Sequence, residues 1–173
     1  MNYIRRINLA KSRKKKWVIN EHNKSFIKWF RSLIVDQLST KSICVSENLR
    51  WLAHGPRMDV VSYRGYPSNG YCFYIKGHDD RCIVQNSGVT LVAQLMHISS
   101  AKDNKVIFAN MSYYGVIENI WELDYIMFRV SVFQCKWVKN NKDIKVDELG
   151  FILVNLNKEN QKEDTFILAS QAK

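Results

Sequence analysis

The stretch YYGVIENIWELDY, residues 113–125, indicates the fold of this chain more clearly than any other part. Apolar or aromatic residues fall on one predicted face, namely Ile117, Trp121, Leu123 and Tyr125. Acidic residues fall on the other face, namely Glu118, Glu122 and Asp124. Alternation with a period of two is typical of a β-strand that buries one face and exposes the other.

Three further segments after this stretch have strand character, residues 128–138, 149–156 and 165–169, each rich in β-branched, aromatic or aliphatic residues. Polar stretches at 139–145 and 157–164 separate them. The pattern predicts a four-stranded antiparallel module over residues 113–173. Large aromatic side chains recur at alternating positions in it, so we expect one shared core of Trp121, Phe133, Trp137, Phe151 and Phe166.

Upstream of these strands, the sequence predicts two helices. Apolar residues between 22 and 38 recur at helical spacing, at Phe26, Phe30, Leu33, Ile34 and Leu38. A second helix is expected over residues 46–53, with Ser46 as its N-cap and a Gly-Pro pair at 55–56 ending it.

Between the helices and the C-terminal module, the sequence predicts hairpins. Residues 59–64 and 71–76 flank a loop at 65–70 that contains two glycines, and they form a candidate hairpin. Residues 89–98 and 105–110 have strand character on either side of a polar turn at 99–104. With the region 59–110, the sequence predicts an α+β fold that is mainly β. In this fold we expect the N-terminal helix pair to pack on an antiparallel sheet or on a small BAH-like or SH3-like barrel.

These segments give a basic flexible arm at 1–20 and one globular domain at 21–173, which comprises a helical part (21–58), a hairpin-rich part (59–110) and the C-terminal module. The charge follows the same division. Residues 1–58 contain thirteen Lys and Arg against three acidic residues, whereas residues 59–173 contain thirteen of each. The net charge of +10 is thus confined to the first third of the chain.

Such a basic segment favours contact with phosphates, through which Lys and Arg bind nucleic acid without reading its sequence. The candidate residues of the arm are Arg5, Arg6, Lys11, Arg13, Lys14, Lys15 and Lys16. A second candidate group lies on the first helix and comprises Lys24, Lys28 and Arg31, although such a row is more often a plain solvated helix face, which is the interpretation that we favour. KSRKKK at 11–16 also fits a nuclear import signal, and a basic tail that only confers solubility is the third alternative.

Aromatic residues interleaved with cations in the predicted hairpin form a third candidate group, namely Tyr63, Arg64, Tyr66 and Tyr71. Such residues can stack on the bases of a single strand. The alternative, which we favour, is that the tyrosines are half-buried sheet residues with their hydroxyl groups in water.

Other functional classes have little support in the sequence. There is no apolar run of the roughly 20 residues that span a bilayer, no secretory signal, no Gly-rich phosphate loop and no zinc-protease motif. Carboxylates that could be nominated for a two-metal nuclease are Asp79, Glu118, Glu122 and Asp124, but Glu118 and Glu122 alternate with apolar residues, as solvent-facing residues of a strand do. We therefore predict no enzymatic activity, no cofactor and no resident metal.

The four cysteines, at positions 44, 72, 82 and 135, lack the CxxC spacing of structural zinc sites. Free thiols are the simplest interpretation. A zinc site that uses Cys72, His78 and Cys82, or a disulfide, is the alternative.

Several pieces of the sequence carry a family resemblance. NSGV, YYGVI, CKWV and FILASQAK are the most specific, and NEHNKSFIKWFRS, LRWLAHGP and YRGYPSNGYCFYIKGHDDRCIVQNSGV extend the similarity over about residues 20–173. The chain resembles the accessory domain of unknown function found in plant CACTA (En/Spm-type) transposon proteins. Relatives carry a basic or polar residue in place of Cys72 and more polar residues near Ile83 and Val84.

The resemblance implies a transposon-derived protein of the plant nucleus. In such transposases the catalytic core lies in a separate region, so the resemblance implies that this domain is non-catalytic. We expect it to bind nucleic acid or chromatin through its basic N-terminal part. The alternative is a protein-interaction module that assembles transposase subunits, or a regulatory protein domesticated by the host. Because relatives continue beyond FILASQAK with another apolar strand, we also expect an open sheet edge at residues 166–169 and weak self-association.

Overall fold

The computed structural model describes residues 15–40, 45–100, 103–138, 144–155 and 165–173. The chain is mainly β, with an N-terminal helix pair and antiparallel sheets, which confirms the predicted fold class. Within these residues the sheet stays open and does not close into a barrel, so the barrel alternative is wrong. The chain divides into two compact units, residues 1–58 with 125–128, and residues 59–124 with 129–173.

The first unit contains helix α1 (Lys15–Ser39) and helix α2 (Glu47–His54). Helix α1 begins earlier than predicted, so residues 15–20 are helical and do not belong to an arm; lysine has a good helix propensity despite its charge. Ser46 caps α2 as predicted, because its hydroxyl accepts a hydrogen bond from the Leu49 amide, and Gly55 ends the helix at φ 93°. Ile34, Val45 and Ala53 form a small buried cluster with Phe30 packed against it.

The second unit is built on one long strand. It contains β1 (Val60–Tyr63), β2 (Gly65–Ser68), β3 (Tyr71–Tyr74), a single-turn helix α3 (Lys76–Asp79) and the long hairpin β4 (Gly88–Ser100) and β5 (Asp103–Asp124). It continues with β6 (Arg129–Trp137), β7 (Ile144–Val146), β8 (Ile152–Val154), β9 (Phe166–Leu168) and a 3-10 turn (Ala169–Gln171).

Strand β5 is the centre of the main sheet, whose order is β1-β5-β6-β9. Strand β4 pairs with β5 over residues up to Val116, and β1 pairs with the part of β5 that follows, from Ile120 to Leu123. The predicted strands 105–110 and 113–125 are thus one continuous strand. All these pairings are antiparallel, as expected.

A β-bulge in β5 overturns the predicted facial pattern of this strand. Ile117 pairs with Cys135 and Asn119 pairs with Gln134, so Glu118 is an extra residue in the ladder. The bulge reverses the alternation, and Ile117 and Ile120, three residues apart, are both fully buried. Trp121 and Leu123 consequently lie on the face opposite to Ile117, not beside it.

The predicted single aromatic core is also wrong. Phe133 is fully buried at the centre of the main cluster and Trp137 packs against it. Trp121 lies with Phe166 on the other face, where their ring centroids are 5.5 Å apart, and Phe166 is 48% exposed. Phe151 is 64% exposed, because its segment belongs to a separate hairpin of β7 and β8 and not to the main sheet.

The glycine-containing loop at 65–70 is itself part of a hairpin. Strands β2 and β3 pair with each other around Asn69 and Gly70, both at positive φ, whereas β1 pairs with β5. The two-residue Asn-Gly turn is the connection that such a hairpin prefers, because both positions need the left-handed conformation. The predicted pairing of 59–64 with 71–76 is therefore wrong.

The C-terminal residues are anchored to this hairpin and to β4. The Asn69 side chain donates to the carbonyl oxygens of Ser170 and Ala172, and the backbone of Lys173 exchanges two hydrogen bonds with Thr90. Ala172 is fully buried. Strand β9 is the last in the order of the described sheet, but the Leu168 amide donates to the Gln171 side chain, so the edge is partly satisfied. Self-association through this edge stays a prediction.

Candidate nucleic-acid interface

The boundary between the two units coincides with the boundary in charge. The first unit, residues 1–58 with the uncharged turn 125–128, contains thirteen Lys and Arg against three acidic residues. The second unit contains thirteen of each and is formally neutral. The net positive charge therefore belongs to one structural unit.

Most of the predicted arm lies outside the described residues, namely Arg5, Arg6, Lys11, Arg13 and Lys14. Lys15 is the first residue of α1 and Lys16 the second. Cations in a first helical turn meet the positive end of the helix dipole, which is unfavourable unless an anion compensates. The α1 sequence has no acidic residue in that turn.

All three cations predicted on α1 are exposed, and one of them, Arg31, is also hydrogen-bonded within the protein. Arg31 donates from Nε to the Ala53 carbonyl at 2.7 Å and from Nη2 to the His54 carbonyl at 2.6 Å. These carbonyls end α2, where a cation is favourable, so Arg31 joins the two helices. Sequence periodicity placed Arg31 on the outer face but gave no sign of this role.

The third candidate group, which comprises Tyr63, Arg64, Tyr66 and Tyr71, contains both packed and accessible side chains. Tyr63 and Tyr66 are half-buried and pack against the main core, and the Tyr66 ring meets Phe133 edge-on at 6.1 Å. The Tyr63 hydroxyl donates to Glu122 Oε1 at 3.4 Å. These contacts favour the packing alternative for both residues. Tyr71 is 61% exposed and Arg64 is exposed, so these two side chains remain accessible to a ligand.

The nominated carboxylates do not converge. Asp79 is buried and its Oδ2 accepts hydrogen bonds from the amides of Asn86 and Ser87, at 2.7 and 2.6 Å. Glu122 accepts from Arg129 at 3.1 Å, and Glu118 is exposed at the bulge. Asp79 thus closes a loop, a role that the sequence alone did not indicate.

In the part of the chain that the structure describes, no three His, Cys, Asp or Glu side chains form a group that could hold a metal ion. The zinc alternative with Cys72, His78 and Cys82 is therefore wrong as a three-ligand site. Cys72, Cys82 and Cys135 are free thiols, as the simplest interpretation predicted. No helix among these residues combines the length and apolarity that crossing a bilayer requires.

Comparisons with known proteins match the C-terminal part of the chain. Residues 121–173 match a family described as a domain of unknown function (DUF4216), which is commonly found in plant transposase-like proteins. The match covers the end of β5, strands β6 to β9 and the 3-10 turn. No curated protein and no solved structure matches the chain.

Proposed function

We propose that this protein binds nucleic acid, alone or in chromatin, through its basic N-terminal unit, and that it does so without catalysis. The observation that carries the proposal is the segregation of charge, since the whole formal net charge of +10 lies in one of two structural units. Lysine-rich surfaces gain affinity by releasing counterions from phosphates. The exposed Lys24 and Lys28 extend the basic segment along α1.

We also propose that the protein is transposon-derived and located in the nucleus. The similarity of residues 121–173 to a family common in plant transposase-like proteins supports a transposon-derived origin, and the motifs of the sequence favour the CACTA type. A nuclear location fits both the origin and the KSRKKK sequence at 11–16. Appending residues 1–16 to a fluorescent reporter tests this motif, and a reporter that stays cytoplasmic contradicts it.

The binding proposal is tested by two variants of the basic unit. Deletion of residues 1–14 removes five cations and stops before α1, which begins at Lys15. Lys24→Glu/Lys28→Glu reverses two exposed charges on the helix. We expect the deletion to weaken duplex DNA binding at least about tenfold. The slope of affinity against salt should fall by about one for each phosphate that the shortened chain no longer neutralises.

A matched control separates the effect of where the charge lies from the effect of the total net charge. Lys145→Glu/Lys173→Glu changes the net charge by the same amount as Lys24→Glu/Lys28→Glu, but at exposed positions of the neutral unit. This control should bind DNA more tightly than the helix variant. If the two double variants bind equally, or if the deletion leaves affinity and salt slope unchanged, the proposal fails.

A second candidate function is assembly with other proteins, and the surface of the helical unit favours it. Large apolar side chains of α1 are exposed, namely Phe26 (39%), Ile27 (50%), Trp29 (51%), Val35 (60%) and Leu38 (41%). Exposed apolar groups of this kind mark contact surfaces. Transposase subunits are the partners that the origin suggests. Apolar contact responds weakly to salt, whereas phosphate binding weakens steeply, so a salt titration separates the two functions.

A further inference from the structure

The end of α3 brings a thiol and an imidazole together. Cys82 Sγ lies 3.5 Å from His78 Nε2, and the two residues are four apart in the sequence. Cys82 is exposed and His78 half-buried. The imidazole can therefore take the thiol proton while solution reagents still reach the sulfur. This geometry is that of an activated nucleophile, since only the thiolate attacks.

Strand β3 fixes the imidazole. The ring of His78 stacks on that of Tyr74, with centroids 4.5 Å apart and planes 16° from parallel. A side-chain hydrogen bond between Tyr74 and Cys72 raises the pKa of the phenol, and the nearby charges of Cys72, Cys82 and Asp79 act in the same direction. Tyr74 therefore stays neutral at physiological pH and serves as a flat support for the His78 ring.

The loop that carries Cys82 is also anchored. The buried Asp79 carboxylate accepts the amides of Asn86 and Ser87, which close the loop at its far end. The Cys82 amide donates to the Asp79 carbonyl at 2.9 Å. The thiol is thus held near the imidazole by bonds at both ends of a short segment.

The other described thiols lack this arrangement. Cys135 is 2% exposed, and burial, with a contribution from Glu118, raises its pKa to about 12. Cys72 is exposed, but the neighbour bonded to it is the Tyr74 phenol, which is a poor base in this setting. The described residues therefore contain one exposed thiol beside an imidazole, one exposed thiol beside a phenol, and one buried thiol.

We propose that Cys82 is a modification site that forms a mixed disulfide with a low-molecular-weight disulfide of the glutathione class, with His78 as the base. The Cys82 proton moves to His78 Nε2, and the thiolate attacks one sulfur of oxidised glutathione. A sulfur–sulfur bond to Cys82 forms as the glutathione disulfide breaks. The departing glutathione thiolate takes the proton back from the imidazolium, so protein thiol and oxidised glutathione give the mixed disulfide and one reduced glutathione.

The adduct changes the character of this loop. Ile83 and Val84 follow Cys82 directly, and both are largely or fully exposed. Glutathione carries two carboxylates, so its attachment places negative charge next to an apolar loop tip. The proposal is independent of nucleic-acid binding, because it rests on the sheet unit alone.

The test measures each thiol of the full-length chain separately. Trypsin cleaves after Lys76 and Arg81, so Cys72 and Cys82 fall in different peptides. The protein is incubated with oxidised glutathione at pH 7, quenched with acid, and mapped by mass spectrometry without reduction. We expect Cys82 to be modified at least about threefold faster than Cys72, because only the Cys82 sulfur has an imidazole base within reach of its proton. Cys135 should stay unmodified because it is buried.

The variant His78→Asn removes the base and keeps a polar side chain. We expect its Cys82 rate to fall to about the Cys72 rate or below, with the Cys72 rate unchanged. Equal rates for Cys82 and Cys72 in the wild-type protein, or an unaltered Cys82 rate in the variant, would overturn the proposal. If the variant unfolds, Cys135 becomes reactive and reports it.

If His78→Asn unfolds, the modification rates of Cys82 and Cys72 in the wild-type protein, measured over a range of pH, test the proposal instead. The charged and titratable groups around the pair are the Lys76–Asp80 ion pair, Asp79 and Arg81, with Tyr74 and Cys72 from β3. Cys82 should react faster than Cys72 at each pH at which the two are compared, because only Cys82 has an imidazole beside it. Coincident profiles contradict the assignment.

Discussion

The helical unit and the sheet unit differ in the size of their buried apolar clusters and in their net charge. The helical unit buries a small cluster around Ile34 and leaves aromatic and aliphatic side chains of α1 exposed. The sheet unit encloses a larger cluster around Phe133, drawn from strands far apart in the sequence. The charge is divided in the opposite sense, with all of the net positive charge in the helical unit. The comparison indicates that the larger buried core lies in the sheet unit, whereas the net positive charge lies in the helical unit.

The largest effect expected from this division is at Phe133. Phe133→Ala should destabilise the protein by about 3–5 kcal/mol, because it removes a fully buried aromatic side chain and leaves a cavity. Phe151→Ala is the matched control, since Phe151 is 64% exposed, and it should cost less than about 1 kcal/mol. Urea denaturation measures both. Similar losses for the two variants would contradict the position of the core.

A smaller loss is expected from added volume in the same unit. A Cβ on Gly115 would lie 2.8 Å from the Trp137 ring and 2.7 Å from the Lys136 carbonyl oxygen. Gly115→Ala should therefore destabilise by about 1–3 kcal/mol through overpacking. Gly88→Ala is the control on the partner strand, because a Cβ there meets nothing within 4 Å. Equal stability of the two variants would show that the Lys136 backbone and the Trp137 ring both move away from the added methyl group.

Alkaline pH should weaken the sheet unit through Cys135. Burial raises the pKa of this thiol from 9.0 to about 12 in the folded state, so the unfolded chain loses the proton first. The contribution of the protonated Cys135 thiol to the free energy of unfolding is fully present below pH 9 and is lost as the pH rises towards 12. About 1–2 kcal/mol of it should be lost by pH 10. Cys135→Ala should remove this component from the pH profile. An unchanged profile in that variant would contradict the buried thiol.

The smallest effect concerns the helical unit. Ser46→Ala removes the acceptor for the Leu49 amide at the start of α2 and should cost about 1 kcal/mol. Ser46→Asp keeps a cap oxygen and should be close to neutral. Helical circular dichroism during thermal unfolding measures the difference. A loss from Ser46→Ala as large as that from Phe133→Ala would contradict the division of stability between the units.

The local features of the fold could be predicted where neighbouring residues decide them. The Ser46 cap, the Gly55 stop and the apolar spacing of α1 gave both helices, although α1 began at Lys15 and not at residue 22. Strand character was correct for β4, β5 and β6. The facial pattern of β5 was not, because one extra residue at Glu118 reverses the alternation and the sequence carries no signal for it.

The candidate site shows the same limit. Sequence placed Lys24, Lys28 and Arg31 on one helix face, but only the structure shows that Arg31 is bound to the end of α2. His78 and Cys82 were noted for a zinc site that does not form among the described residues. Their four-residue spacing was visible, but the 3.5 Å contact and the supporting Tyr74 ring depend on how α3 meets β3.

The sequence by itself determined the class of fold, both ends of α2 to within a residue, and the unequal charge of the two parts of the chain, because each of these depends on residue type and local spacing. The tertiary structure alone decided strand partners, which face of β5 is buried, and which cations and thiols are held or accessible. These properties depend on contacts between residues such as Tyr63 and Glu122, 59 positions apart. Pairing over such distances is selected by the packing of the whole sheet, and no local pattern specifies it.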